Sequence, residues 1–199
     1  MTADQLAALV VFALVGSFTP GPNNAIATAT GANHGFAAAL PHIAGVPFGF
    51  ATMLLAAAGG VAALIVASPA LSALLKWLGI AYLLWLAWSL ARAREGVAAA
   101  GPFALPLAFW QSALFQYLNP KAWMLAVATA AAWLADGDPW RRAAVVCVVF
   151  SLACAASLVL WAAAGAALRD WLAHGARLRA FNVAMGALLA ATAVWMGIA

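Results

Sequence analysis

Thr19-Pro20-Gly21-Pro22-Asn23-Asn24, TPGPNN, lies between the apolar runs LAALVVFALVG and AIATATG, residues 6–16 and 25–31. Proline removes a backbone N–H and clashes with the preceding helical turn, so a helix cannot run through this stretch intact. Read as an ordinary interhelical turn, TPGPNN would leave a first helix of residues 6–18, barely long enough to cross a bilayer whose hydrocarbon needs about 20 residues. Read as a break inside one long span, it frees amides and carbonyls at a depth where lipid cannot satisfy them. Such backbone survives only where it is buried in protein or lines a wet cavity. The second reading makes the break a site.

The composition decides in favour of the membrane. Hydrophobic residues make up 68% of the 199-residue chain and charged residues 7%, against about 25% charged in a typical soluble domain. Between Gln5 and Leu75 there is no Asp, Glu, Lys or Arg, and the ionisable side chains there are His34 and His42. The net charge of +4 is scattered in short groups: Lys76; Arg92 with Arg94; Arg141 with Arg142; Arg169 with Arg177 and Arg179. That pattern anchors helix ends at a membrane surface and does not form a nucleic-acid patch. Asp4 and the lack of a basic stretch before the first apolar run do not fit a cleavable signal peptide, so the first helix is expected to stay.

Cutting at charges, prolines and glycines gives six spans, roughly residues 6–30, 41–67, 71–91, 105–135, 143–168 and 180–198. Spans one and four are long and interrupted, the first by TPGPNN and the fourth by LNPKAW, residues 118–123. Pro22 and Pro120 stand 98 residues apart, close to half the chain, and Gly79 with Trp88 repeats as Gly186 with Trp195. An odd number of spans per half turns the second copy upside down, the inverted repeat of many secondary transporters. The expected fold is therefore an all-α membrane protein: six transmembrane helices in two inverted three-helix repeats, helices one and four broken by proline motifs. One domain, residues 1–199, would have halves 1–91 and 105–199 joined by the linker 92–104, which holds Arg92, Arg94, Glu95, Gly96, Gly101 and Pro102. With the amino terminus outside, the inner loops carry Arg92, Arg94, Arg169, Arg177 and Arg179, against Lys76, Arg141 and Arg142 outside, so both termini are expected outside.

Asn119 before Pro120 reads as a cap and restart for a half-helix, and Thr19 with Pro20, or Gly21 with Pro22, does the same in the first break. Each restart presents unpaired amides carrying about half a positive charge, a setting that binds carboxylates. Lys121 adds a full charge, and Asn23, Asn24, Gln116 and Asn119 offer amide oxygens to an ammonium group. Together with Pro20, Gly21, Pro22 and Pro120, these residues describe a nest for a small zwitterion. Lys121 has a structural alternative, as a side chain that snorkels or pairs with backbone carbonyls. Trp123 reads first as packing. His42, in LPHIAGVPFG, has the titration range of a proton carrier, with a capping or interfacial role as its alternative. Gly45 and Gly49 form a small-xxx-small pair for close helix packing, and Pro47 should kink its helix.

TPGPNNAIATATGANHGFAAALPHIAGVPFGF, then LKWLGIAYLLWLAW, then FWQSALFQYLNPKAW together resemble the LysE/RhtB family of amino-acid exporters. The resemblance covers nearly the whole chain and rests on the PGPN break, the K-x-L-G-x-x-Y-L segment at Lys76 to Leu83, and the NPK break. It implies a bacterial inner-membrane protein of six helices that exports amino acids or close derivatives on the proton gradient. It carries over Pro20, Gly21, Pro22, Asn23, Asn119, Pro120 and Lys121. Many relatives have an acidic residue after the second-helix glycine, where this chain has Phe50 after Gly49, which leaves His42 as the substitute proton carrier.

Two other functions compete. A membrane thiol-disulfide electron-transfer protein needs cysteines on different helices, and Cys147 and Cys154 lie on one, two turns or about 10 Å apart, too far for a disulfide; they read as packed thiols. A divalent-cation exporter needs clustered ligands at depth, and only His42, Met53 and Met124 lie in or near spans one, two and four. No nucleophile and base fall within reach of each other as an enzyme would need, and no GxxxxGK[ST] string for ATP occurs. The expected partners are an amino-acid substrate and the lipid bilayer, with no cofactor, metal or nucleic acid; a homodimer is compatible with the sequence.

Overall fold

A computed structural model describes residues 1–60, 67–93, 105–134, 138–174 and 176–198, and these residues are helical with short links. The helices are α1 (Ala3–Phe18), α2 (Pro22–His34), α3 (Leu40–Ala58), α4 (Pro69–Arg92), α5 (Phe109–Phe115), α6 (Pro120–Trp133), α7 (Pro139–Ala167), α8 (Arg169–Leu172) and α9 (Arg177–Ile198). Single 3-10 turns, Phe36–Ala39 and Gln116–Leu118, lead into α3 and follow α5.

The helix starts follow one chemical recipe. Gly21-Pro22, Ser68-Pro69, Asn119-Pro120 and Asp138-Pro139 each put a cap before a proline in the first turn, where its missing N–H costs no hydrogen bond. Ser68, Asn119 and Asp138 accept amides of the following turn with their side chains; Gly21 has no side chain and caps nothing. The start of α1 uses a reciprocal box, in which Gln5 N–H donates to Thr2 Oγ1 (3.2 Å) and Thr2 N–H to Gln5 Oε1 (3.0 Å).

TPGPNN is a break and not a hairpin turn. α1 and α2 are together long and apolar enough for one span, with a bend of 55° at the interruption. Four further helical stretches, Phe36–Ala58, Pro69–Arg92, Trp140–Ala167 and Arg177–Ile198, are each long and apolar enough to cross a membrane. The expected second span ran to residue 67, but α3 ends at Ala58, and residues 61–66 lie outside the described residues. The expected linker falls almost wholly outside them too, including Arg94, Glu95, Gly96, Gly101 and Pro102. Pro47 does not end α3; the helix continues through it.

Close crossings hold the bundle together. A Cβ added at Gly31 of α2 would meet the Ala162 carbonyl of α7, and one at Gly165 of α7 would meet the Thr28 carbonyl of α2, so each glycine admits the other helix's backbone. Gly45 and Gly49 of α3 admit α5 in the same way, against the carbonyls of Phe109 and Ala113. Gly186 of α9 sits on the Ala87 carbonyl of α4. With lipid outside, apolar burial adds little to helix association, and this close van der Waals contact supplies it. Two apolar clusters flank the breaks: Ala25, Ile26, Leu83, Leu86, Phe115 and Leu189 on one side, and Leu9, Phe50, Met53, Ala126, Val146 and Phe150 on the other.

Candidate functional site at the two helix breaks

The breaks of α1–α2 and α5–α6 meet. Asn23 Nδ2 donates to Gln116 Oε1 (2.9 Å) and Gln116 Nε2 returns a bond to Asn23 Oδ1 (3.3 Å), a reciprocal amide pair joining residues 93 positions apart. Lys121, in the first turn of α6, sends its ammonium group to the Thr19 carbonyl freed by the first break. The structural alternative for Lys121 is thus part of what it does, and it brings the charge to the mouth of α2. A Cβ at Gly21 would lie 3.1 Å from Lys121 Cδ and 3.2 Å from Nζ, so the lysine lies closely across this start.

Several carbonyls at the breaks find donors from side chains and neighbouring helices. Thr19 N and Oγ1 donate to the Val15 carbonyl. Asn24 Nδ2 donates to the carbonyls of Ser17 and Thr19, both at 3.1 Å, and Ser157 Oγ donates to Ser17 from α7 at 2.9 Å. In the second break Trp123 Nε1 donates to the Tyr117 carbonyl (3.0 Å), and Asn119 Oδ1 accepts from Lys121 N–H (3.1 Å). Asn24, Asn119 and Trp123 therefore spend these groups on closing the backbone. The helix start at α2 differs, because Gly21 offers no oxygen to the amides of Asn23 and Asn24.

His42 is fully buried in the first turn of α3. Its Nε2 lies 3.2 Å from the Asn23 backbone carbonyl and its Nδ1 2.9 Å from Ser112 Oγ. A carbonyl can only accept, so Nε2 carries the hydrogen; Nδ1 of the neutral ring then accepts from the serine hydroxyl, and of the charged ring donates to it. Gln116 Nε2 also donates to the Ser112 carbonyl (2.9 Å). His42, Ser112, Gln116 and Asn23 thereby close a ring of hydrogen bonds linking α2, α3 and α5.

Between the breaks lies a cavity of about 40 Å³ lined by Gly21, Pro22, Asn23, Asn24, Gln116, Asn119 and Lys121, together with Phe50, Phe150 and Cys154. Pro20 and Pro120 lie outside this lining; with Lys121 they face a larger groove on the other side of the break. Among the described residues no carboxylate lines the cavity, and the full charge in its lining is the Lys121 ammonium. Phe50, in the position where the family resemblance led to an acid, supplies an aromatic wall, its ring centroid 5.0 Å from that of Phe150.

Sequence reading missed Ser112, Ser157, Phe150 and Cys154. Ser112 had a signal, since it lies one helical turn before Gln116; the other three come from α7 and carry none. Cys154 reaches the cavity, whereas Cys147 packs beside the second apolar cluster, and both thiols are free. Among the described residues no three His, Cys, Asp or Glu side chains group as metal ligands.

These features define a helical membrane protein with a small polar chamber where two helix interruptions meet. A profile of the LysE type translocator family matches residues 14–199, and the chain belongs to that family. It is similar to the Cysteine/O-acetylserine efflux proteins of Salmonella choleraesuis (strain SC-B67), 39% identical over 121 residues, and of Escherichia coli (strain K12), 38% identical over 123 residues. Each alignment covers 61% of this chain and 61% of the relative's length. No solved structure matches the chain.

Proposed function

We propose that the chain exports amino acids or close derivatives across the bacterial inner membrane by alternating access, coupled to the proton gradient. The observation that carries this reading is the convergence of the uncapped α2 start, the Lys121 ammonium and the Asn23–Gln116 amide pair on one carboxylate-free cavity. The carboxylate of a zwitterion would take the α2 amides and Lys121, and its ammonium group the side-chain oxygens of Asn23 and Gln116. Phe50, Phe150 and Cys154 would border the side chain, a small one of the kind cysteine and O-acetylserine carry. Ligand pockets span about 300–1,000 Å³, so a cavity of about 40 Å³ is contracted and must widen to load.

In this reading α5 with α6 makes the sixth crossing, and the halves 1–91 and 105–199 form one transport domain. The packing supports it: inverting the halves exchanges α1 with α5, α2 with α6, α3 with α7 and α4 with α9. The contacts α1–α7 and α5–α3 exchange, as do α2–α7 and α6–α3, while α4–α9 and α3–α7 map onto themselves. His42 is the group proposed to carry the proton. A lysine in the chamber disfavours a divalent cation, and the free Cys147 and Cys154 on one helix disfavour electron transfer.

The test is export of radiolabelled cysteine and O-acetylserine, and of amino acids released from a dipeptide panel, by cells overproducing the chain. Wild type should enrich one or more outside, and Lys121→Met should lose that export while inserting normally. Equal export by a correctly inserted Lys121→Met protein would remove the lysine from the site.

A further inference from the structure

The polar cavity has a neighbour. A groove of about 700 Å³ runs between α1, α6 and α9, lined by Phe12, Thr19, Met124, Ala128, Thr192 and Trp195 among others. Gly16, Gly21, Pro22, Lys121 and Leu125 line both spaces, so they are the wall between them. That wall is thin, and it consists of side chains resting on glycines. Lys121 and Leu125, one turn apart on the same face of α6, lie over Gly21 and Gly16. A Cβ at Gly16 would come within 2.7 Å of Leu125 Cδ2.

We propose that Lys121 and Leu125, seated on Gly21 and Gly16, are the gate of the cavity, and that the groove beyond them is the water-filled vestibule through which solute leaves it on one face. The proposal rests on the exporter reading for the identity of the solute and on the inverted repeat for its asymmetry. The groove is lined mainly by apolar residues, with Thr19, Lys121 and Thr192 among them; what sets it apart from an ordinary lipid-facing cleft is that Lys121 and one wall are shared with the polar chamber.

The pseudo-symmetry gives an independent argument. Inversion carries the groove between α1, α6 and α9 onto the space between α5, α2 and α4, and that space is filled by Ile26, Ala29, Leu83, Leu86 and Phe115. The 98-residue offset of Pro22 and Pro120 pairs Met124 with Ile26; Met124 is 60% exposed and Ile26 fully buried. Two halves of one design differ in this way when one access route is open and its counterpart shut. The far side is further closed by the Gly31–Gly165 crossing and by a second reciprocal amide pair, Asn33 Nδ2 to Asn182 Oδ1 (2.7 Å) and Asn182 Nδ2 to Asn33 Oδ1 (2.9 Å). The gate also sets specificity, since a side chain must pass Leu125 to leave.

Cys154 lies behind the gate and Thr192 in front, so the thiol reagent 2-sulfonatoethyl methanethiosulfonate, a membrane-impermeant anion, tests both from either face of the membrane. With Cys147→Ser, Cys154 is the single thiol; with both cysteines replaced by serine, Thr192→Cys is. Thr192→Cys should label quickly from one face only, and Cys154 slowly. Leu125→Ala should speed Cys154 labelling from that same face by about tenfold, since thiol reactivity follows access. Gly16→Ala, which displaces only the flexible end of Leu125, should also change that rate. Protection of Thr192→Cys from both faces, with reaction toward a lipid-soluble maleimide, would show a lipid cleft and overturn the vestibule. Unchanged Cys154 labelling in both gate variants would overturn the gate. Labelling requires no transport, so this pattern in a chain that exports nothing would keep the gate and remove the exporter reading, and export without the pattern would do the reverse.

Discussion

Asn23 and Asn24 are adjacent in sequence and look interchangeable as ligands, yet one helical step, about 100° of rotation, gives them different work. Asn23 faces Gln116 across the halves, while Asn24 turns back and holds the end of α1 through Ser17 and Thr19. Replacing Asn24 by Ala should take one donor from each of the Ser17 and Thr19 carbonyls, which keep Ser157 and Lys121, and cost about 1 kcal/mol. The check is a lowered Tm of the purified protein in detergent; an unchanged Tm would mean that Asn24 is free to bind substrate. His42→Gln keeps an amide donor and acceptor near the two ring positions but cannot titrate. If His42 carries the coupling proton, that variant should fold and lose the response of export to an imposed pH gradient. A preserved response would move coupling elsewhere.

At the scale of the helix, the starts were legible because a cap followed by proline is local chemistry: Asn119-Pro120 and Gly21-Pro22 start α6 and α2 where they were expected to. Replacing Asn119 by Ala should remove a side-chain cap worth about 1 kcal/mol, read as a drop in Tm. The tight crossings were legible only in part. GxxxG spacing announced Gly45 and Gly49, but nothing nearby in sequence singles out Gly31 or Gly165, because their reason is another helix's backbone more than a hundred residues away. Gly31→Val and Gly165→Val should each drive a side chain into a carbonyl and cost several times the effect of the Asn119 change, about 3 kcal/mol or more. Loss of the folded, monodisperse peak in size-exclusion chromatography would be the readout. A Val tolerated at either position would mean that the α2–α7 crossing is looser than described.

At the scale of the molecule, the proposed sixth crossing would put both termini on the same face, and the arginine distribution would put that face outside. Alkaline phosphatase fused after the last residue should be active, and a cysteine placed near Thr2 should label in intact cells. Termini on opposite faces would remove the sixth crossing and with it the inverted repeat. The membrane class, the two breaks, the proline-led restarts and the family follow from sequence alone, because hydrophobicity, cap chemistry and the spacing of motifs are properties of neighbouring residues. Which amides face the cavity and which are spent on the backbone was decided by tertiary structure. So were the burial of His42 against Ser112, the arrival of Phe150 and Cys154 from α7, and the seating of Leu125 on Gly16. Each of these depends on how helices distant in the chain rotate and approach, and that is set by which buried polar groups can be satisfied together when all the helices are packed.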